Sequence, residues 1–205
     1  MLSRGALKRG TKLVIASHNE GKVRELCELF SLYGIACLSA GSLGLPEPAE
    51  TGDTFAANSK IKAKAAASGS GMLALADDSG LEVEALDRRP GIHSARWGGA
   101  NKAFDLAMAR VNRELKQLGT PDRRANFNCS LALASPEGEA ATFNGEVYGT
   151  IVWPPRGKRG FGYDPIFVPD GYSETFGEMN PDLKNRLSHR MRAFEKLMRE
   201  LYVDK

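Results

Sequence analysis

The sequence predicts an α/β fold: a mixed, twisted central sheet flanked by helices, in two lobes with a cleft between them. Two observations carry this reading. Short apolar runs of strand length alternate with segments of helical period through the first half of the chain, and two adjacent period-2 segments joined by a turn follow later. A chain of 205 residues lies near the upper end of one ordinary domain, long enough to bury a sizeable core and to carry a cleft. Residues 11–205 are expected to form that single domain, and residues 1–10 (MLSRGALKRG) a frayed, flexible N-terminal extension. The extension is basic, but it has no apolar core of signal-peptide length and is short for a transit peptide.

Lys12 to Ala16 (KLVIA) reads as a short buried strand, after which Val23, Leu26, Cys27, Phe30 and Tyr33 recur at helical spacing. Residues 39–53 are rich in Gly, Pro, Ser and Thr and read as a loop. Thr54 to Ser68, rich in Ala and Lys, reads as a helix ended by Gly69, Ser70 and Gly71. Met72 to Ala76 (MLALA) is a second buried strand, expected to run into an acidic turn, Asp77-Asp78-Ser79-Gly80, with Leu81, Val83 and Ala85 alternating beyond it. Phe104, Met108, Val111, Leu115 and Leu118 mark an amphipathic helix whose apolar stripe is most simply a core face. Phe127, Cys129, Leu131 and Leu133 alternate with small or polar residues, Pro136-Glu137-Gly138 is a turn, and Ala141 to Trp153 is again strand-like. This hairpin makes the sheet mixed. Leu187, Met191, Phe194, Leu197, Met198 and Leu201 define a final helix, starting at Asn180-Pro181 or at Ser188.

Apolar residues at 42% and charged residues at 26% are ordinary for a globular protein and argue against disorder. A formal charge of +3, from 28 basic and 25 acidic side chains, is too small to mark a nucleic-acid-binding surface. No apolar run approaches the roughly 20 residues of a membrane helix. Cys27, Cys37 and Cys129 are odd in number and far apart, without C-x-x-C spacing, so neither a disulfide framework nor a thiolate zinc site is supported. A reducing cytoplasm fits best.

Five segments could carry chemistry. Ser17-His18-Asn19-Glu20-Gly21-Lys22 is a polar loop at a helix entrance, where unpaired backbone N–H groups and one lysine suit a phosphate. Taken by itself, the segment is more simply read as a helix cap supplied by Ser17 or Asn19. Walker A spacing is absent. Glu50-Thr51-Gly52-Asp53-Thr54-Phe55 leads to Asn58 and Lys62, an acid before a helix and a lysine within it. That set suits magnesium and triphosphate, or plain capping by Asp53 or Thr54 with solvated lysines beyond. Asp77-Asp78-Ser79-Gly80 places adjacent carboxylates after a buried strand, where a metal or hydrogen-bond donors must offset their repulsion, unless the segment is a surface turn. Gly157 to Pro165 (GKRGFGYDP) combines glycines that admit close backbone approach with Phe161 or Tyr163 to stack on a base, or else is a hairpin loop with packed aromatics. Lys184 with Ser188-His189-Arg190 gathers donors at the last helix, or forms a solvated basic face.

In this order the segments closely resemble the non-standard purine nucleoside triphosphate pyrophosphatases, the family of inosine triphosphate pyrophosphatase and bacterial dITP/XTP pyrophosphatase. The resemblance covers almost the whole chain: ASHNEGKVRE, ETGDTF, ADDSGLEVEAL, PGIHSARW, GFGYDPIF and SHR all look like family signatures. It implies that Ser17, His18, Asn19, Glu20, Gly21 and Lys22 hold the triphosphate. It implies that Asp78 is the proton acceptor and, with Glu50, a Mg²⁺ ligand, and that Ser79 contacts substrate. Phe161, Gly162, Tyr163, Asp164, Lys184, His189 and Arg190 are implied to contact the nucleotide, with Phe161 stacking on the base and Lys62 near the phosphates. Asp77 matches without an assigned role. Ala57-Asn58-Ser59 departs from the family's frequent Glu-Asn-Ala, and His18 occupies a variable position.

The implied reaction is hydrolysis of dITP, ITP or XTP between the α- and β-phosphates, giving a monophosphate and pyrophosphate and keeping these bases out of DNA and RNA. A cytoplasmic homodimer is the implied form, with no nucleic-acid or membrane partner. A nucleotide-binding sensor on the same scaffold is the rival from another class, and intact Asp78, Glu50 and Lys22 argue against it. A related pyrophosphatase for modified pyrimidines is separable by a substrate panel.

Overall fold

A computed structural model describes residues 2–204, and among them the sequence's alternation of runs becomes nine strands and five α-helices. The elements are β1 (Leu7–Lys8), β2 (Lys12–Ile15), α1 (Glu20–Ser31), β3 (Ala36–Ser39), α2 (Phe55–Ser70), β4 (Ala74–Val83), β5 (Arg89–Pro90), α3 (Phe104–Leu118), β6 (Arg124–Ala134), β7 (Ala140–Ile151), β8 (Phe167–Pro169), α4 (Pro181–Leu187), α5 (His189–Leu201) and β9 (Tyr202–Val203). The main sheet follows the order β3-β2-β4-β6-β7-β8, with β5 on β4. It is mixed: β2 pairs in parallel with β3 and β4, while β4 with β5 and β7 with β8 are antiparallel. β6 and β7 are joined through residues 135–139, too short for a parallel crossover, which is the expected hairpin.

The chain divides into two compact units. The first comprises Met1–Asp78, Ser130–Asn144 and Ala193–Lys205, and the second Ser79–Cys129 and Gly145–Arg192. Strands β4, β6 and β7 thus contribute residues to both.

In the first unit, α1 starts where the Asn19 side chain accepts the Lys22 N–H, and α2 where the Thr54 hydroxyl accepts the Ala57 N–H. Gly71 ends α2 in the left-handed conformation, at φ 67°, and its N–H reaches the Ala67 carbonyl. Ala63, Ala66 and Ala67 of α2 pack with Val14, Ala16, Ala74, Ala76, Ala132 and Ala134, so small side chains let helix and strands approach closely. The Ser59 and Ser130 hydroxyls, 3.1 Å apart and buried, tie α2 to β6. Within residues 1–10, expected to be a flexible extension, β1 pairs in parallel with β9, Leu7 is fully buried, and the Gly5 N–H reaches the Leu201 carbonyl.

In the second unit Leu81, Val83, Val111, Leu115, Phe127, Ile166, Phe167 and Phe176 form the core. The α3 stripe contributes Met108, Val111 and Leu115, but Leu118 at its end is 57% exposed and faces away from the core. The final helical segment uses both of its candidate starts. Asn180 and Pro181 open α4, then Ser188 interrupts the helix and its hydroxyl accepts the Met191 N–H at the beginning of α5.

Candidate active site

β4 passes straight through the acidic segment. Asp77, Asp78, Ser79 and Gly80 lie inside the strand Ala74–Val83, where the sequence suggested a turn, and both faces of the strand around them are buried rather than alternating. β2 pairs with β4 only as far as Ile15 and Leu75, and the Ala16 N–H reaches the Leu75 carbonyl, so the two acids follow directly beyond the carboxyl end of β2. β3 and β4 lie on opposite sides of β2 in the sheet. Open α/β sheets place ligands at the carboxyl ends of parallel strands where the strand order reverses, because the loops diverge there.

Successive strand residues point to opposite faces, and the two acids meet different helices. Asp77 Oδ1 lies 2.5 Å from Lys22 Nζ of α1, with the Asp77 side chain fully buried. Asp78 Oδ1 lies 3.0 Å from Lys62 Nζ of α2, which also reaches Glu50 Oε1 at 2.7 Å. Glu50 is brought there by a tight loop. The Gly52 N–H donates to Asn58 Oδ1 at 2.8 Å, and a Cβ on Gly52 would lie 2.6 Å from the Ala57 Cβ, so a side chain there would push the loop off α2. Asp78 Oδ2 is buried and, among the described residues, has no hydrogen-bond partner.

Burial pushes the Asp78 carboxyl above the usual carboxylate range; Lys62 and Lys22 oppose this, and Glu50 adds to it. Burial alone would lower Lys62, but Asp78 and Glu50 together hold its ammonium above its ordinary value. The two directions agree physically: Lys62 faces two anions, whereas Asp78 feels the repulsion of Glu50 as well as the attraction of the lysines.

Ser17 to Lys22 leave β2 and enter α1. The Ser17 hydroxyl accepts the Asn19 N–H, and Glu20, Gly21 and Lys22 form the first helical turn. Asn19 is therefore the helix cap, one of the two candidates in the sequence, and it also fixes the helix start from which Lys22 extends. His18 is exposed, with Nδ1 3.9 Å from Glu47.

The second unit holds a separate constellation. Lys184 Nζ of α4 lies 2.6 Å from Asp164 Oδ2, and both side chains are buried. Asp164 Oδ2 also accepts the Phe161 N–H at 2.8 Å, which curls residues 160–164 around the carboxylate. Gly160 is required in this loop: its φ is +73°, and a Cβ would lie 2.0 Å from Asp164 Oδ2. The Phe161 ring is 39% exposed, with Lys184 Nζ 5.0 Å and Arg190 Cζ 5.8 Å from its centroid. Arg190 is buried, and its Nη2 lies 3.5 Å from the Ser79 hydroxyl, at the long limit of a hydrogen bond. His189 stacks on Phe127 with centroids 5.0 Å apart and planes within 12°.

Comparison with known proteins resolves the class. The Ham1 family matches residues 13–200. The chain belongs to the Ham1 family. It is 56% identical over 187 residues to the dITP/XTP pyrophosphatase of Gluconobacter oxydans, covering 91% of this chain and 89% of that one. It is 52% identical to the dITP/XTP pyrophosphatase of Zymomonas mobilis, covering 91% of this chain and 90% of that one. Among solved structures it resembles a HAM1 protein from Coxiella burnetii, with a TM-score of 0.85, 39% identity, and coverage of 91% of this chain and 96% of that one.

Within this Ham1 chain, the sequence-derived candidates divide cleanly. Glu50, Lys22, Lys62, Asp77 and Asp78 come together in the first unit, and Ser79, Phe161, Asp164, Lys184 and Arg190 gather in the second. Tyr163, expected among the nucleotide contacts, lies in the core of the second unit. Its ring is 2% exposed, packs edge-on against Phe104, and donates from its hydroxyl to the Ser94 carbonyl, so it holds the loop from within the core. Gly162, at φ +70°, carries the chain past Phe104. Among the described residues, no group of three His, Cys, Asp or Glu side chains is arranged to hold a metal, so Asp78 and Glu50 are at most a two-carboxylate set.

Ser94 was not singled out from the sequence. Its hydroxyl accepts the Leu81 N–H at 3.0 Å and donates to the Gly91 carbonyl at 2.6 Å, while its own carbonyl receives Tyr163. The only signal was its place within PGIHSARW.

Proposed function

We propose that this Ham1 chain hydrolyses dITP, ITP and XTP to the monophosphate and pyrophosphate, acting as a cytoplasmic homodimer that removes non-standard purines from the nucleotide pool. The observation that carries the reading is the pair Asp77-Asp78 beyond the carboxyl end of β2, each acid held by a lysine from a different helix, with one Asp78 oxygen unpartnered. An orphaned buried carboxylate oxygen is costly unless a proton or cation completes it. Together with the nearby Glu50 carboxylate, that oxygen fits Mg²⁺, which binds through one or two carboxylates and otherwise keeps waters and substrate phosphate oxygens. When bound, the metal supplies charge neutralisation for the phosphates.

The chain's own residues do the rest. Ser17 to Lys22 hold the triphosphate at the start of α1, where helix N–H groups and the Lys22 ammonium attract anions. Asp78, its basicity raised by burial, accepts a proton from the attacking water. Lys62 and Lys22 offset charge that develops on the leaving pyrophosphate. Phe161 stacks on the base, and Asp164 orients Lys184 toward it. Arg190 can only donate, which matches the 6-keto acceptor of hypoxanthine or xanthine and leaves the 6-amino group of adenine facing a donor. Sites built around such a bond discriminate by about 10⁴ or more.

A nucleotide panel with and without Mg²⁺ tests the reading. Pyrophosphate and monophosphate are expected from dITP, ITP and XTP, with little from ATP or dUTP, and EDTA is expected to abolish turnover. Orthophosphate as the first product, or a preference for pyrimidine triphosphates, overturns it.

A further inference from the structure

We propose that Lys62 is the resident counter-cation of the metal site: in the substrate-free protein its ammonium occupies the ground between Glu50 and Asp78, and a divalent ion must displace it, sending Lys62 to the triphosphate. This rests on the reading of Glu50 and Asp78 as the metal-holding pair.

The geometry is that of an occupied cation position. Lys62 Nζ touches one oxygen of each carboxylate, at 2.7 and 3.0 Å, and its side chain is only 8% exposed. Two carboxylates drawn to one buried point would repel each other without a cation there, and the lysine supplies it. A divalent ion held by the same two carboxylates comes within a few ångströms of the ammonium, where like charges outside bulk water repel strongly. Lys62, on Asp78 Oδ1 and Glu50 Oε1, and a metal held through Asp78 Oδ2 therefore compete for the charge of the same two carboxylates. The orphaned Asp78 Oδ2 shows that the lysine satisfies this carboxylate only in part.

The competition has a consequence for order of binding. Free metal must evict a paired, buried ammonium without bringing an anion for it to meet. Metal arriving with a triphosphate brings the anion that Lys62 moves to. The two ligands then bind with positive coupling, and by linkage each strengthens the other equally. Lys22 on Asp77 is not part of this exchange: its partner is the acid on the opposite strand face.

The test measures Mn²⁺ binding to the substrate-free protein by electron paramagnetic resonance. Where a competing state must be removed first, apparent affinity falls by the fraction that is competent, so Lys62→Gln is expected to bind Mn²⁺ roughly tenfold or more tightly than the wild type. Adding Asp78→Asn to that variant is expected to abolish the gain. Equal affinity in wild type and Lys62→Gln overturns the exchange while leaving the metal pair intact. Absence of Mn²⁺ binding in both overturns the pair as well. A wild-type measurement removes dependence on the variant's folding: the Lys62 ammonium, followed by ¹⁵N NMR, is expected to lose its protection from solvent exchange at saturating Mg²⁺. An unchanged signal overturns the proposal.

Discussion

Asp78 illustrates how a functional side chain is held at the expense of stability. Its carboxyl is displaced upward by burial against the pull of Lys62 and Lys22, so the folded protein holds the Asp78 proton more tightly than the unfolded chain does. For a group whose folded value is raised, the stabilising contribution is complete below the unfolded value, about 3.9 for Asp, and is lost as pH rises through the folded value. At pH 7 without metal, ionised Asp78 therefore contributes less stability than its protonated form would. Asp78→Asn is expected to reduce turnover of dITP by about 10² to 10⁴, the span of a general base. The same variant, free of metal, is expected to melt at a higher temperature than the wild type at pH 7, with the gap closing as pH falls toward 4. Thermal melts across pH check the second effect. A variant that loses both activity and stability would mark Asp78 as a structural member of the Lys62 ion cluster instead.

At the level of elements, the helices were legible from their apolar spacing and composition, and two of them also carry local punctuation: a side-chain cap at Asn19 for α1, and at Thr54 with a left-handed glycine at Gly71 for α2. The acidic segment was not. Two adjacent aspartates within a run of ten strand residues violate the expectation for a buried strand, and what makes them tolerable lies 55 residues away for Lys22 and 16 for Lys62. Local pattern cannot show such partners. Ser94 was missed for the same reason, since its hydroxyl serves Leu81 13 residues back and its carbonyl serves Tyr163 69 residues ahead. It ties the strand segment after Ser79 to the 160–164 loop. Ser94→Ala leaves the buried Leu81 N–H without its partner, a cost of about 1–3 kcal/mol. The variant is expected to melt several degrees lower and to raise KM for dITP more than it lowers kcat, because the residue positions a binding loop and touches no reacting atom. Steady-state kinetics with a thermal melt decides this. Unchanged KM in a destabilised protein would confine Ser94 to the core.

For the whole molecule, the chain path matters more than either core. The first unit is assembled from three separate segments, and β4, β6 and β7 each supply residues to both units. Neither unit is a continuous piece of sequence, so chain length, which suggested one domain, could not reveal the division, and the basic character of residues 1–10 did not show that Leu7 is buried. Shared strands imply shared fate: melting β4 in one unit removes backbone pairing at its continuation in the other. The sequence offers a direct probe. Its two tryptophans, Trp97 and Trp153, both lie in the second unit. Phe194, by contrast, is 2% exposed in the first, edge-on to Phe30 at 5.0 Å and beside Tyr33 at 5.8 Å. Phe194→Ala opens a cavity there and is expected to cost about 3–5 kcal/mol. If the molecule unfolds as one cooperative body, tryptophan fluorescence and far-UV circular dichroism of this variant shift together to a lower denaturant midpoint, although the substitution lies in the unit without tryptophan. A fluorescence transition that stays at the wild-type midpoint while the dichroism moves would show that the shared strands do not couple the two units.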